Sequence, residues 1–188
     1  MKVKVGVSNR HVHLSEEDFK KLFGDSDFYS IKDLSQKGEF MSNLMVTLKT
    51  EKGSIERVRV VGPIRKRTQV EISKTDAYKL GIDAPIRLSG DLDNSADIML
   101  SSETGDVLVR SGCIIAKRHI HVSEVEAVSY GLVNDQIVKI RVGGERSGVI
   151  DNVVVRIKDT FSFELHLDTD EANAFNLKNG DEVEIMEG

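Results

Sequence analysis

The chain has 188 residues, of which 39% are hydrophobic and 30% charged, and this composition predicts one or two small folded domains rather than a disordered chain. The formal net charge of −5 disfavours a basic protein that coats nucleic acid, and no apolar run is long enough to span a membrane. The single cysteine, Cys113, excludes an internal disulfide and a cysteine-based zinc finger. The first residues alternate as in a strand and lack the apolar stretch of a signal peptide, so we expect a cytoplasmic protein.

Alternation of apolar and polar residues predicts strands, in chain order, at residues 2–7, 44–49, 54–61, 107–109, 137–142, 149–157, 161–167 and 182–186. Turn sequences at 51–54, 103–106 and 143–148 predict hairpins between neighbouring strands. Short helices are predicted near 15–23, 74–81, 123–131 and 169–176. Residues 24–43 show no clear periodicity, and we expect a long loop or lid there. This pattern favours a mostly antiparallel β protein, a barrel or sandwich with small capping helices.

A short motif is repeated along the chain. Segment 8–15 (SNRHVHLS) returns at 116–123 (AKRHIHVS), 108 positions later. Each copy enters a predicted helix through a serine that is followed three residues later by an acid, which resembles a capping box. Two weaker copies, 69–73 and 164–168, precede the other two predicted helices. We therefore predict a strand–helix–strand unit that has been duplicated twice over.

Each copy carries a potential metal ligand two residues before the helix cap, at His13, Glu71, His121 and His166. Side chains two apart in a strand project from one face, so His11 with His13, and His119 with His121, each form a pair of nitrogen ligands. Imidazole combined with carboxylate suits zinc. Glu71 and His166 are the candidate third ligands, either one for each pair or crossing between the two halves. All five histidines lie at equivalent strand ends of the repeated motif. This placement favours a metal site over unrelated surface histidines, and two metal ions over one.

A second candidate site is basic. Five basic residues and no acid lie between residues 57 and 67: Arg57, Arg59, Arg65, Lys66 and Arg67. A turn after Val61 would bring Arg65 close to Glu71, where a guanidinium beside a dication could hold a phosphate or carboxylate. The equally weighted alternative is a solvated strand edge protected by charge. Arg10 and Arg118 would face away from the histidines and are interpreted as structural, and Cys113 is predicted to be a buried, inert thiol.

Taken together, four segments resemble the phosphate propanoyltransferases of the PduL type, the PduL-type phosphotransacylases, over essentially the whole chain. They are Ser8–Ser15, Gly62–Arg65 with Thr68–Glu71, Arg118–Ser123, and His166. The resemblance implies two small β-barrels with short capping helices, related by internal duplication and exchanging a strand. One barrel would contain residues 1–9 plus 118–188 and the other residues 10–117, with a two-zinc site between them.

The resemblance also implies a role for individual residues. One Zn²⁺ would be held by His11, His13 and Glu71, and a second by His119, His121 and His166. Arg65 would be the catalytic residue that binds phosphate, with Gln69 nearby, and Arg59 and Asn173 would contact coenzyme A.

The implied reaction moves a short acyl group, propanoyl or acetyl, between coenzyme A and inorganic phosphate, giving an acyl phosphate by direct attack of phosphate. Family members that enter bacterial microcompartments often carry an N-terminal extension; the first motif here begins at Ser8, so a free cytosolic enzyme is expected. We expect no nucleic-acid or membrane partner. Barrels with exchanged strands often self-associate, and the sequence leaves open whether the chain is a monomer or a homo-oligomer. Two alternatives stay open: a zinc-dependent thioester hydrolase, and a non-catalytic barrel that only binds.

Overall fold

The computed structural model describes residues 1–186, and it is mostly β, as predicted. Its strands are β1 (Lys2–Ser8), β2 (His11–His13), β3 (Ser30–Asp33), β4 (Phe40–Lys49), β5 (Ser54–Gly62), β6 (Gln69–Ile72), β7 (Ile86–Arg87), β8 (Ala96–Ser101), β9 (Asp106–Ala116), β10 (His119–Val122), β11 (Ile137–Val142), β12 (Gly148–Ile157), β13 (Glu164–Asp168) and β14 (Glu182–Met186). Its helices are α1 (Glu16–Phe23), α2 (Lys74–Leu80), α3 (Glu124–Tyr130) and α4 (Thr169–Ala174). None of the described helices is long and apolar enough to cross a membrane.

One compact unit, the terminal barrel, joins the two ends of the chain: residues 1–9 and the chain from 117 onward. Its six strands close in the order β1-β13-β10-β12-β11-β14. Strand β1 pairs in parallel with β13 and antiparallel with β14, so the first strand completes a barrel built otherwise from the second half of the chain. Alternate residues of these strands, such as Val3, Val5, Ile140 and Ile185, point inward and form its core.

The second compact unit, the central barrel, contains residues 10–116. Its closed ring is β4-β5-β2-β6-β9-β8, because β8 pairs with both β9 and β4. Strands β3 and β7 are additions outside this ring, paired with β4 and β9. The core contains buried aliphatic residues from several strands of the ring, among them Leu48 on β4, Val60 on β5, Val70 on β6 and Ile98 on β8.

Every helix begins directly after one of the four repeated strands. The N-cap residues are Ser15, Ser73, Ser123 and Asp168, and each side chain accepts a hydrogen bond from a backbone N–H three residues later. This contact satisfies one of the free N–H groups of the first helical turn. The caps fix where each strand ends, and therefore where the candidate ligands two residues earlier are placed.

The expectation of a long loop or lid at residues 24–43 was wrong, because this segment contains β3 and the first residues of β4. All four residues of β3 are exposed, so the strand has no alternation of apolar and polar residues that could reveal it. Backbone pairing with β4 forms it instead. Strands β7 and β8 were also not predicted, whereas all three predicted hairpin turns connect adjacent antiparallel strands.

Candidate functional site

The same strand pairing places the candidate ligands in both barrels. In the central barrel β2 runs antiparallel to β6, with His11 opposite Glu71. In the terminal barrel β10 runs antiparallel to β13, with His119 opposite His166. Directly opposed residues of an antiparallel pair share a face. Each His-x-His pair therefore meets a third ligand from its neighbouring strand.

The central cluster consists of His11, His13 and Glu71, whose ligand atoms all lie within 4.8 Å of one another. The Nε2 atoms of the two histidines are 3.2 Å apart, and Glu71 Oε2 is 3.7 Å from His11 Nε2. His13 Nδ1 lies 3.1 Å from the carbonyl oxygen of Val61, which can only accept a hydrogen bond. Nδ1 therefore carries the ring proton, and Nε2 presents a lone pair to the cluster.

The terminal cluster consists of His119, His121 and His166. His119 Nδ1 donates to the carbonyl oxygen of Lys117 at 2.7 Å, so the ring lone pair of His119 is on Nε2. Both ring nitrogens of His121 are buried and have no hydrogen-bond partner among residues 1–186. One face of this ring stacks on Phe161, with the ring centres 3.8 Å apart.

Burial keeps His13 and His121 neutral. It lowers the pKa of His121 far below the ordinary value, and the neighbouring His119 and His166 add to the effect. Burial likewise lowers the pKa of His13, with further contributions from His11 and Arg65. Neutral imidazole is the form that binds a metal ion.

Both clusters fit a metal ion by the chemistry of their donors. Two imidazoles with one carboxylate, and three imidazoles, are both sets that zinc accepts with a fourth position open. An unpartnered polar atom buried away from water is costly, and the His121 nitrogens are such atoms. A bound cation would satisfy one of them.

Arg65 lies beside the central cluster. Its backbone N–H donates to the Leu14 carbonyl at 2.8 Å, which places it next to the end of β2. Its Nη1 donates to Ser89 Oγ at 3.2 Å, and its Nη2 donates to Glu39 Oε1 at 3.0 Å. Gln69 Nε2 reaches the same Ser89 Oγ at 2.8 Å and Glu71 Oε1 at 2.5 Å. A continuous chain of contacts thus connects Arg65 to a candidate metal ligand.

Ser89 and Glu39 were not found from the sequence. Ser89 lies in a connection between strands with no motif around it, and Glu39 lies in the segment expected to be a loop. Only the folded chain brings them to Arg65.

The other basic residues of segment 57–67 take no part in this chain of contacts. Arg59 lies opposite His11 in the pairing of β2 with β5 and donates to the Ser42 carbonyl at 3.0 Å. Arg67 pairs with Asp93 at an exposed site, and Arg57 and Lys66 are exposed. The alternative of a strand edge does not hold, because β5 pairs with both β2 and β4, and Lys66 and Arg67 lie after its end. In the terminal barrel, Asn173 is exposed on α4. The proposed contact of Arg59 and Asn173 with coenzyme A stays a prediction.

Arg10 and Arg118 have structural partners, as interpreted from the sequence. Arg10 forms two contacts of 2.8 Å with the buried carboxylate of Asp76, and Arg118 lies 3.2 Å from Glu171. Asp76 and Glu171 are the acids of the capping boxes of α2 and α4. Arg10 therefore links the start of β2 to α2, and Arg118 links the start of β10 to α4. Each of these helices follows the strand that carries the third candidate ligand of its cluster.

Cys113 is fully buried, as predicted, and burial raises the pKa of its thiol to about 12. The thiolate is the nucleophilic form of cysteine. Cys113 is therefore inert at neutral pH.

Comparison with known proteins gives a consistent result. The family model described as phosphate propanoyltransferase matches residues 4–178. A phosphate propanoyltransferase from Thermotoga maritima is 48% identical over 97% of this chain and 88% of its own length. Proteins of the same name from Shewanella putrefaciens and Clostridioides difficile are 42% and 43% identical, over 96% and 98% of this chain and 86% and 88% of their own lengths.

Proposed function

We propose, because the chain belongs to the phosphate propanoyltransferase family, that it transfers a short acyl group between coenzyme A and inorganic phosphate. It is a transferase enzyme, and family membership supports a phosphate acyltransferase activity. Propanoyl and acetyl differ by one methylene, worth about 1–3 kcal/mol of discrimination in a pocket. The choice between these groups, the cytoplasmic location and self-association stay predictions.

The observation that carries the proposal is the contact chain from Arg65 to Glu71. A planar guanidinium can hold a phosphate with two parallel hydrogen bonds. Three hydrogen bonds connect Arg65 of the basic segment to Glu71 of the central cluster, through Ser89 and Gln69. Phosphate bound by Arg65 would lie beside that cluster.

Each cluster is proposed to bind one Zn²⁺, the central one through His11, His13 and Glu71, and the terminal one through His119, His121 and His166. When bound, zinc supplies a Lewis acid that polarises the thioester carbonyl and a soft centre that stabilises a thiolate. Support comes from the donor sets and from the unpartnered His121 nitrogens.

The protein's own residues orient the reactants. Arg65 binds and orients phosphate, one of whose oxygens attacks the carbonyl carbon of the acyl-CoA. The carbon–sulfur bond then breaks, and its electron pair leaves with the sulfur of coenzyme A. Gln69 accepts from the N–H of Gly90 at 2.8 Å while donating to Ser89 and Glu71. It therefore fixes the Glu71 carboxylate and takes no proton itself.

No covalent acyl-enzyme is needed in this scheme. Cys113 is buried and protonated, so it does not serve as a nucleophile. Arg59 and Asn173 are proposed contacts for coenzyme A. The position of Arg59 opposite His11 on the neighbouring strand supports the proposal for Arg59.

The test is Arg65→Ala, measured as phosphate-dependent turnover together with the zinc content of the purified protein. We expect turnover to fall by about 100- to 1,000-fold, the cost of losing one preorganised hydrogen-bond donor in an active site, with zinc retained. The matched control is Arg110→Ala, which removes an exposed arginine of the same barrel that pairs with Asp97 at 3.1 Å. Near-normal kinetics with phosphate in the Arg65 variant would contradict the assigned role.

Zinc content tests the metal proposal separately. We expect two ions per chain, and one ion in each of the variants His13→Ala and His121→Ala. A wild-type chain that takes up no zinc, or one ion only, would contradict it.

A further inference from the structure

The two metal clusters carry their negative charge at different positions. In the central barrel the third ligand is Glu71, and the residue two before it is the neutral Gln69. In the terminal barrel the third ligand is His166, and the residue two before it is Glu164. The pairing of strands makes these positions equivalent, because Gln69 lies opposite His13 and Glu164 lies opposite His121. The carboxylate is therefore the second of the two residues on β6 and the first of the two on β13, and in both strands the two residues share one face.

Glu164 is in contact with the terminal cluster. Its Oε2 is 3.1 Å from Nε2 of His166, and both side chains are largely buried. Across the parallel pairing of β1 with β13, Gly6 lies opposite His166. A Cβ at Gly6 would be 2.7 Å from Glu164 Cδ and 2.8 Å from Oε2, closer than real Cβ contacts. The missing side chain of Gly6 leaves the space that this carboxyl group occupies.

We propose that Glu164 is a fourth member of the terminal metal centre, and that its carboxylate supplies the negative charge that Glu71 supplies in the central one. This inference rests on the proposed function, since it assumes that the terminal cluster binds a metal ion. Three neutral imidazoles leave the whole charge of a divalent cation uncompensated. A carboxylate that binds the cation, or that holds a ligating histidine by a hydrogen bond, strengthens metal binding in either position.

The test is the zinc affinity of the full chain with Glu164→Gln, measured by competition with a chromophoric chelator. Glutamine keeps the size of glutamate and its capacity to accept a hydrogen bond, and it lacks the charge. We expect one of the two zinc ions to bind about 10- to 100-fold more weakly and the other to bind as in the wild type. The matched control is Glu184→Gln, an exposed carboxylate on β14 of the same barrel, which should change neither affinity.

Two further variants identify the affected ion. In His13→Ala, which keeps only the terminal ion, adding Glu164→Gln should weaken that remaining ion. In His121→Ala, which keeps only the central ion, adding Glu164→Gln should have no effect. Gly6→Ala puts a methyl group against the carboxyl without removing its charge, and it should also weaken the terminal ion.

The outcomes separate this inference from the function it rests on. Two zinc ions bound with wild-type affinity in Glu164→Gln would overturn the role of Glu164 and leave the proposed metal centres intact. Equal weakening of both ions would also overturn it, because the effect would not be confined to one cluster. A wild-type chain that binds no zinc would overturn both proposals.

Discussion

Replacing Arg10 by methionine should destabilise the central barrel markedly, because it leaves a buried carboxylate without its cation. Asp76 is only 3% exposed, and both of its oxygens lie 2.8 Å from the Arg10 guanidinium. Removing one partner of a buried ion pair costs about 3–5 kcal/mol. The Arg10 side chain is 35% exposed, so water can reach the gap that it leaves, and Ser73 still donates its backbone N–H to Asp76. We therefore expect the lower end of the range, about 3 kcal/mol.

The assay is urea unfolding followed by circular dichroism. The control is Arg110→Met, since its ion pair with Asp97 is largely exposed and should be worth about 1 kcal/mol or less. Adding Asp76→Asn to Arg10→Met should recover part of the loss, because the buried charge is then removed as well. If Arg10→Met lowers the free energy of unfolding no more than the Arg110→Met control, Arg10 does not hold β2 to α2.

Three other predictions follow from single contacts. Burial raises the pKa of Glu171 from 4.5 to about 7, so the folded chain keeps a proton that the unfolded chain releases, and stability should fall as the pH rises from 4.5 through 7. The free energy of unfolding should fall by at most about 3 kcal/mol over this range. Urea unfolding at pH 5 and pH 8 should show this fall in the wild type and not in Glu171→Gln; an equal fall in both proteins would contradict the prediction. Glu39→Gln should lower the KM for phosphate several-fold, because the Glu39 carboxylate occupies the Arg65 guanidinium at 3.0 Å; an unchanged or raised KM would show that it does not compete. Cys113→Ala should leave phosphate-dependent turnover largely intact. An acyl-enzyme that can be trapped with the wild type and is absent in this variant would contradict direct transfer.

The positions of the candidate ligands were predictable because the signals that place them are local. Each of the four repeated strands ends in a cap residue that the sequence displays, and the ligand stands two residues before it. Alternation then assigns the two histidines of each motif to one face. The spacing left open which third residue completes each pair, and the family resemblance implied Glu71 for the first pair and His166 for the second. The strand pairings agree with this assignment, with His11 opposite Glu71 and His119 opposite His166.

What escaped prediction depends on contacts between distant segments. Strand β3 is exposed along its whole length, so its residues carry no pattern, and its pairing with β4 alone defines it. Ser89 and Glu39 reach Arg65 across 24 and 26 residues, with no motif at either position. The contact of Glu164 with His166 depends on the space at Gly6, which is distant in the sequence and adjacent across the parallel pairing of β1 with β13.

Acyl transfer to phosphate is tested by measuring the release of free thiol from propanoyl-CoA by the zinc-loaded protein, with and without inorganic phosphate. Direct transfer to phosphate predicts release only when phosphate is present, with one acyl phosphate formed for each thiol. Release that does not depend on phosphate would identify a thioester hydrolase on the same ligands and would contradict acyl transfer. No release from either propanoyl-CoA or acetyl-CoA would contradict it as well, and would favour a barrel that binds without catalysis.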